Sequence, residues 1–155
     1  MTVTVSVDSF KGSLSTDEAA KAVSEGIIEV YPNAKIYALP LADGGEGTVH
    51  AIVSATGGEY VTVNVTGPLG NRVKAQYGIS GDKNTAIIEM SAAAGITLVD
   101  EKDRNPMHTT TYGVGEMICD ALDRGCRDFV VGIGGSATND GGVGMLQALD
   151  RKSVV

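Results

Sequence analysis

The residues from Gly132 to Gly142 read GIGGSATNDGG, and five of these eleven are glycine. Glycine disfavours regular structure because it loses more backbone entropy on folding than other residues do. It also lets a ligand approach the main chain closely. The segment lies between a predicted strand and a predicted helix, and a helix N-terminus attracts phosphate. The stretch therefore predicts phosphate or nucleotide binding through Gly134, Gly135, Ser136, Thr138 and Asn139; the alternative is a tight turn without a ligand.

Two further polar loops follow predicted strands, DSFKGS from Asp8 and ADGGEGT after the second strand. Ligands of open α/β sheets lie outside the carboxyl ends of the strands, so we expect the three loops to line one crevice. Lys11 is a mobile cation suited to a phosphate oxygen. Carboxylates suit Mg²⁺, which phosphoryl transfer uses to neutralise charge. The acids at these positions are Asp8, Asp43, Glu46 and Asp140; singly, each could instead be a helix cap or a solvated loop residue.

An alternation of strands and helices positions these loops. Strands are predicted over residues 3–7 and 35–39. Ser15 and Glu18 have the spacing of a capping box at the start of the first helix. A second helix is predicted through Val49 and Val53. This order predicts a parallel sheet of the α/β class.

The pattern changes between residues 60 and 90, where three segments are separated by turn residues: 60–65, 72–79 and 85–90. Strict alternation of apolar residues predicts half-buried antiparallel strands. This meander could belong to a second, smaller lobe over 60–109, with an α/β lobe formed by 1–59 and 110–155. It could equally be an antiparallel extension of the same sheet.

The α/β pattern then returns. A helix is predicted through residues 114–122 and ends before Gly125, and another is predicted over 143–149. The strand over 128–133 is a near-continuous apolar run, which is typical of a strand covered on both faces.

Composition limits the classes of partner. The chain has 155 residues, 43% hydrophobic content and a net charge of −7, which suits one domain or slightly more and argues against nucleic acid or an anionic membrane as a partner. The N-terminus has no signal-peptide pattern, and no apolar run approaches about 18 residues. The two cysteines, Cys119 and Cys126, are predicted to be reduced thiols in a cytoplasmic protein. The oligomeric state is not predicted.

Six segments together resemble the bacterial-type glycerate kinases, in the order of that family: DSFKGSLS, LADGGEGT, TGPLG, AIIEMSAAAGI, RNPMHTTTYGVGE and GIGGSATNDGGVGMLQAL. The resemblance implies ATP-dependent phosphorylation of D-glycerate, with 2-phosphoglycerate as the expected product, and a requirement for Mg²⁺. It also implies a two-lobed α/β fold with a Rossmann-like parallel sheet lobe, a second antiparallel β-rich lobe or insertion, and an active site between the lobes. Because family chains are much longer, it further implies a truncated, N-terminal portion whose own activity is open.

The resemblance also suggests roles for single residues. Lys11 and Arg104 are the cations expected near the substrates, and Arg104, beside Asn105, would bind the glycerate carboxylate as a fork. The alternative for Arg104 is a structural ion pair. Candidates to accept the hydroxyl proton are Asp8, Asp43 and Asp140, and candidates to bind Mg²⁺ are Asp43, Glu46 and Asp140.

The remaining polar residues have plainer expectations. Thr109–Thr111 are expected to cap a helix rather than meet an anion, and His50 and His108 to be ordinary surface or core histidines. Two other functions stay open from the sequence. One is a non-catalytic phosphate- or nucleotide-binding α/β module. The other is a nicotinamide-dependent oxidoreductase lobe, against which the first loop lacks a GxGxxG fingerprint.

Overall fold

The computed structural model describes residues 1–10 and 13–150, so the prediction for Lys11 lies outside the described residues. The chain divides into two compact units, Met1–Asp43 and Gly44–Val155. One contains a parallel sheet and the other a mixed sheet, both with helices. The predicted α/β class is confirmed.

The first unit is a strand, a helix and a second strand: β1 (Thr2–Val5), α1 (Thr16–Val30) and β2 (Lys35–Ala38). β1 and β2 pair in parallel, as predicted. The capping box at the start of α1 is also present. The N–H of Glu18 donates to the Ser15 hydroxyl, and the N–H of Ser15 donates to the Glu18 carboxylate at 2.8 Å. Local sequence therefore sets where this helix begins.

The second unit contains the remaining elements: α2 (Thr48–Thr56), β3 (Glu59–Thr66), β4 (Arg72–Ile79), β5 (Thr85–Glu89), α3 (Ser91–Ala94), α4 (Tyr112–Asp123), β6 (Asp128–Gly132) and α5 (Val143–Leu149). Three short 3-10 helices lie between α3 and α4, over Ile96–Leu98, Glu101–Asp103 and Pro106–His108. The sequence did not predict α3 or these 3-10 helices, because each is too short to show a helical period.

The four strands of this unit form one sheet in the order β3-β4-β5-β6. β3, β4 and β5 are antiparallel neighbours, and β6 pairs in parallel with β5. The meander thus shares its sheet with the parallel strand β6, while β1 and β2 form a separate sheet of two strands. The boundaries of the two lobes stay a prediction.

Helices pack on both faces of this sheet. On one face, Tyr77 and Ile88 are fully buried in a cluster with Met117 of α4. On the other face, the neighbouring Ile87 packs with Val49 and Val53 of α2. Successive residues of a strand point to opposite faces, so β5 serves both clusters. The two-sided core fixes β5, the strand that pairs with β6, and the glycine-rich loop begins at the end of β6.

The expectation that β6 is covered on both faces is wrong for the part of the chain that the structure describes. Val130 is 41% exposed, Val131 is 37% exposed and Ile133 is 75% exposed. Among the described strands, β6 is the last in the sheet order and has β5 as its one neighbour. A strand at an edge lacks the neighbour on one side that helps to bury its side chains.

Candidate functional site

The glycine-rich loop, residues 132–142, runs from the end of β6 to the start of α5. Main-chain hydrogen bonds attach it to two neighbouring segments. The N–H of Gly134 donates to the carbonyl oxygen of Gly44 at 3.0 Å, and the N–H of Ala137 donates to the carbonyl oxygen of Ala94 at 2.9 Å. The first half of the loop is therefore held by backbone contacts.

Glycine is required early in this loop because another backbone lies against it. A Cβ atom at Gly132 would lie 2.5 Å from the carbonyl oxygen of Gly44, and one at Gly134 would lie 2.6 Å from the Cα atom of Gly45. Gly135 has a φ of 71°, in the left-handed region that favours glycine. Part of the glycine content therefore serves the packing of one glycine-rich loop on another.

Ser136 and Thr138 hydrogen-bond to each other at the centre of the loop. Their hydroxyl oxygens are 2.8 Å apart, and the N–H of Thr138 donates to the Ser136 hydroxyl at 3.0 Å. The next residue, Asn139, is exposed. The structure thus gathers the three polar side chains predicted to bind phosphate on one short turn.

A cavity of about 240 Å³ lies on one side of this turn. Arg104 and Asn105, both predicted to bind substrate, line it together with Ser136 and Thr138. The Arg104 Nε donates to the carbonyl oxygen of Val99 at 3.4 Å. Within residues 13–150 Arg104 forms no ion pair with a carboxylate, so its expected alternative, a structural ion pair, is absent there. The structure therefore brings a cation and the glycine-rich loop to one cavity.

A second cavity, of about 360 Å³, is lined by the later part of the same loop, including Asn139 and Asp140. Its other walls are apolar side chains from β6 and the surrounding elements: Met90, Val114, Val131, Ile133 and Met145. Ser136 and Thr138 line both cavities. The loop therefore separates a cavity with a cation from a cavity with apolar walls.

The Asp140 carboxylate accepts hydrogen bonds from several neighbours. The N–H and the hydroxyl of Thr111 both donate to its Oδ2 at 2.8 Å. The N–H of Gly142 donates to Oδ1 at 3.0 Å, and the N–H of Gly144 donates to Oδ2 at 3.2 Å. Burial raises the pKa of Asp140, but these hydrogen bonds outweigh burial and lower its pKa below the usual range of an aspartate.

These contacts occupy the first amides of α5. Besides Gly142 and Gly144, the N–H of Val143 donates to the Asp140 carbonyl oxygen at 3.1 Å, and the N–H of Met145 donates to the Thr111 hydroxyl at 2.9 Å. The sequence interpretation had placed phosphate at this helix start. In the structure its amides are already hydrogen-bonded to the chain itself.

The start of α2 follows the other glycine-rich loop of this unit. The N–H of Val49 donates to the carboxylate of Glu89, the last residue of β5, at 2.8 Å. Glu46, predicted to bind Mg²⁺, is exposed in the turn just before α2. The sequence reasoning missed Glu89. The signal that could have revealed it is an acid that ends an otherwise apolar strand, TAIIE.

The first unit carries two more of the predicted residues. Asp8 is half-buried, and its carboxylate accepts a hydrogen bond from the N–H of Ser9 at 2.7 Å. Asp43 is exposed and is the last residue of this unit. Their predicted roles as proton acceptor and metal ligand stay predictions.

The threonines before α4 act within the chain. The Thr110 hydroxyl accepts a hydrogen bond at 3.1 Å from the N–H of Tyr112, the first residue of α4. The Thr109 hydroxyl donates to the carbonyl oxygen of Ala137 at 2.9 Å. The Thr111 hydroxyl donates to Asp140, as described above. The N-cap residue of α4 is Thr111, which makes no side-chain capping hydrogen bond, so the expectation of capping is not met there. Thr109 and Thr111 instead contact the glycine-rich loop.

The histidines and cysteines are arranged as expected. His50 lies on the surface with its Nδ1 2.8 Å from the Tyr60 hydroxyl, and His108 is exposed. Cys119 and Cys126 are both free thiols, and Cys126 is buried. Burial raises the pKa of the Cys126 thiol, so this side chain is a poor nucleophile.

Among residues 1–10 and 13–150, no three His, Cys, Asp or Glu side chains form a group that could hold a metal ion. Protein sites for Mg²⁺ often contain only one or two carboxylates together with substrate phosphates. No helix in the described chain combines the length and the hydropathy needed to cross a bilayer.

Sequence comparison identifies relatives of this chain over nearly its whole length. The sequence profile of the glycerate kinase family matches residues 3–154. The chain is 56% identical over 149 residues to a glycerate kinase of Haemophilus influenzae, with 96% of this chain and 39% of the relative covered. It is 51% identical over 152 residues to a glycerate 2-kinase of Escherichia coli K12, with 98% of this chain and 40% of the relative covered.

A solved structure has a similar fold over most of this chain. The crystal structure of a protein assigned as glycerate kinase 2 from Salmonella typhimurium LT2 superposes with a TM-score of 0.83 and 55% identity, over 96% of this chain and 40% of that chain. The chain thus spans about 40% of the length of the relatives it matches. The profile match covers nearly the whole chain and includes every motif quoted above, so this chain belongs to the glycerate kinase family.

Proposed function

We propose that the protein transfers the γ-phosphoryl group of ATP to a hydroxyl of D-glycerate. The observation that carries the proposal is the position of the glycine-rich loop between two cavities. One is lined by Arg104, which forms no ion pair with a carboxylate of the described residues, and the other has apolar walls. Phosphoryl transfer needs positioning and charge neutralisation more than covalent catalysis, and a loop that borders both substrates supplies positioning.

The glycerate carboxylate is assigned to Arg104. The cavity of about 240 Å³ suits a three-carbon acid, and the guanidinium fork suits a carboxylate. Asn105 has less freedom, because its side-chain oxygen accepts a hydrogen bond from the N–H of Met107 at 3.1 Å. Its amide nitrogen is the group offered to a glycerate hydroxyl. The name glycerate 2-kinase of the Escherichia coli relative supports transfer to the 2-hydroxyl.

ATP is assigned to the other side of the loop. Ser136, Thr138 and Asn139 offer donors to the phosphates, while the apolar walls of the larger cavity suit the nucleoside. Gly134 and Gly135 let the main chain turn close to the ligand. For Lys11 we keep the proposal made from the sequence, contact with a phosphate oxygen.

In the transfer step, a glycerate oxygen bonds to the γ-phosphorus, the bond from that phosphorus to the β–γ bridging oxygen breaks, and ADP leaves. The hydroxyl proton passes to a carboxylate, for which Asp8 and Asp43 are the candidates. Mg²⁺ bound to the phosphates would neutralise the developing charge. Asp43 and Glu46 are exposed carboxylates that could complete its coordination. Two free thiols fit a reducing compartment, and we place the protein in the cytoplasm.

The test is coupled ADP release from the purified chain with Mg-ATP, with and without D-glycerate, after a cooperative thermal melt has been recorded. We expect glycerate-dependent ADP release. We also expect Arg104→Ala to raise the KM for glycerate about tenfold or more, since a charge-assisted pair is lost. The matched control is Lys102→Ala, which removes an exposed cation two residues away. The Lys102 Nζ lies 4.0 Å from the Asp100 carboxylate, in an exposed ion pair.

A folded chain that binds ATP but releases no ADP would contradict the kinase activity of this chain and favour the non-catalytic nucleotide-binding module. Equal glycerate KM values for Arg104→Ala and Lys102→Ala would remove Arg104 from the substrate site.

A further inference from the structure

The amides that begin α5 are not available to a ligand, because the chain itself accepts their hydrogen bonds. Gly142 and Gly144 donate to the Asp140 carboxylate, and Met145 donates to the Thr111 hydroxyl. That hydroxyl donates in turn to Asp140 at 2.8 Å. We call this set of contacts between Thr111, Asp140 and the start of α5 the Asp140 clasp.

The clasp joins segments that are far apart in sequence. Thr111 stands directly before α4, and Asp140 belongs to the glycine-rich loop 29 residues later. The packing around it is tight. A Cβ atom at Gly144 would lie 2.8 Å from Oδ2 of Asp140 and would also collide with the Thr110 hydroxyl. The carboxylate is therefore fixed between two helix starts.

Asp140 is half-buried, whereas the residues on either side of it face the solvent. Asn139 and Gly141 are both exposed. Within the described residues, neither of their backbone N–H groups donates a hydrogen bond. Gly141 has a φ of 62°, which turns its peptide units in a way that other residues rarely adopt. The exposed Asn139–Gly141 segment thus has backbone donors to offer a ligand.

We propose that Asp140 is a positioning residue, whose clasp with Thr111 holds the Asn139–Gly141 backbone in the conformation that presents its N–H groups to the phosphates of ATP. This inference rests on the proposed function. It gives Asp140 a role different from the proton acceptor or metal ligand expected from sequence. Oδ2 of this carboxylate already accepts three hydrogen bonds, from the N–H and the hydroxyl of Thr111 and from the N–H of Gly144, which fits a positioning role.

The experiment compares Asp140→Asn, Thr111→Val and Thr111→Ser in the full chain. Affinity for ATP is measured by isothermal titration calorimetry with and without Mg²⁺, at a temperature where each variant is folded. Hydrogen exchange of the Gly142, Gly144 and Met145 amides is followed by NMR on the same samples. Thr111→Ser keeps the hydroxyl and is the conservative control for Thr111→Val.

We expect Asp140→Asn to expose the Gly142 and Gly144 amides to exchange and Thr111→Val to expose the Met145 amide. Both variants should weaken ATP binding about tenfold. Thr111→Ser should keep the amide protection and the ATP affinity of the wild-type chain. The ratio of ATP affinities with and without Mg²⁺ should be unchanged in every variant, because the clasp acts through the backbone. The Thr111 variants keep the test decisive even if Asp140→Asn fails to fold.

Two results would overturn the inference. If Asp140→Asn removes the Mg²⁺-dependent part of ATP binding and leaves the amides protected, Asp140 is a metal ligand. If ATP affinity is the same in all variants while the amides lose protection, the clasp is structural only. A wild-type chain with protected amides and no ATP binding would instead contradict the proposed function, and with it any positioning of phosphate.

Discussion

Helices α2 and α5 both follow a glycine-rich loop, and each begins after a glycine in the left-handed region, Gly47 with a φ of 94° and Gly142 with a φ of 78°. Neither N-cap glycine has a side chain that could accept the first amides. At α2 a carboxylate from a neighbouring strand, Glu89, accepts one amide. At α5 a carboxylate from the loop itself, Asp140, accepts two amides of the helix start.

Two loops with the same sequence pattern therefore use carboxylates from different places to accept the first amides of the following helix. A strand, a glycine-rich loop and a helix together suggest a phosphate site, because a helix N-terminus carries unpaired N–H groups. In this molecule the chain supplies its own anions to both helix starts. The donors that remain for a ligand lie in the loop before α5, not in the first turn of the helix.

The largest effect is expected where the two loops touch. Gly134→Ala would place a Cβ atom 2.6 Å from the Cα atom of Gly45, so one loop must move away from the other. We expect a loss of about 3 kcal/mol in the free energy of unfolding, measured by urea denaturation.

Gly26→Ala is the matched control, because Gly26 lies inside α1 with nothing within 4 Å of the added carbon. It should stabilise the chain by about 0.5–1 kcal/mol, since alanine favours a helix. A Gly134→Ala variant as stable as wild type would show that the loops are not in contact.

The next largest effect distinguishes the start of α5, held by Asp140, from the start of α2, held by Glu89. Asp140→Asn should lower the free energy of unfolding by about 2 kcal/mol, because several donors would face an amide nitrogen instead of a carboxylate oxygen. Glu89→Gln should cost about 0.5 kcal/mol, since the amide oxygen can still accept the single bond from Val49. Urea denaturation of both variants measures the difference, and equal losses would mean that the two helix starts are held alike.

The smallest effect is a dependence on pH. The pKa of Asp140 is lowered in the folded chain, so its contribution to stability is complete above its ordinary pKa of about 3.9 and is lost as the pH falls through its folded pKa. The difference in unfolding free energy between wild type and Asp140→Asn should be constant above about pH 5 and should shrink below about pH 4. Denaturation curves across this range measure it. A difference that grows as the pH falls would have the wrong sign for the clasp.

Local sequence patterns predicted much of the fold. Alternation predicted β3 and β4, and the capping box predicted the start of α1, because these features depend on residues close in sequence. The exposure of β6 was not predictable, since an apolar run does not show whether a strand lies at the edge of its sheet.

The candidate site was predictable by residue type but not by geometry. Arg104 and Ser136 were both selected from sequence, and they line one cavity. The contacts of Asp140 with Thr111, and of Glu89 with Val49, join side chains to main-chain groups 29 and 40 residues away. No period or motif encodes such contacts, so an acid in a polar loop could equally be a ligand, a base or a cap.

The most direct test is an NMR titration of the ¹⁵N-labelled chain with Mg-ATP. We expect the amide signals of Asn139 and Gly141 to shift on binding, while those of Gly142, Gly144 and Met145 keep their positions and their protection from exchange. Shifts centred on Gly142–Met145, with loss of protection there, would mean that phosphate displaces the Asp140 carboxylate from the start of α5, and the account would be contradicted.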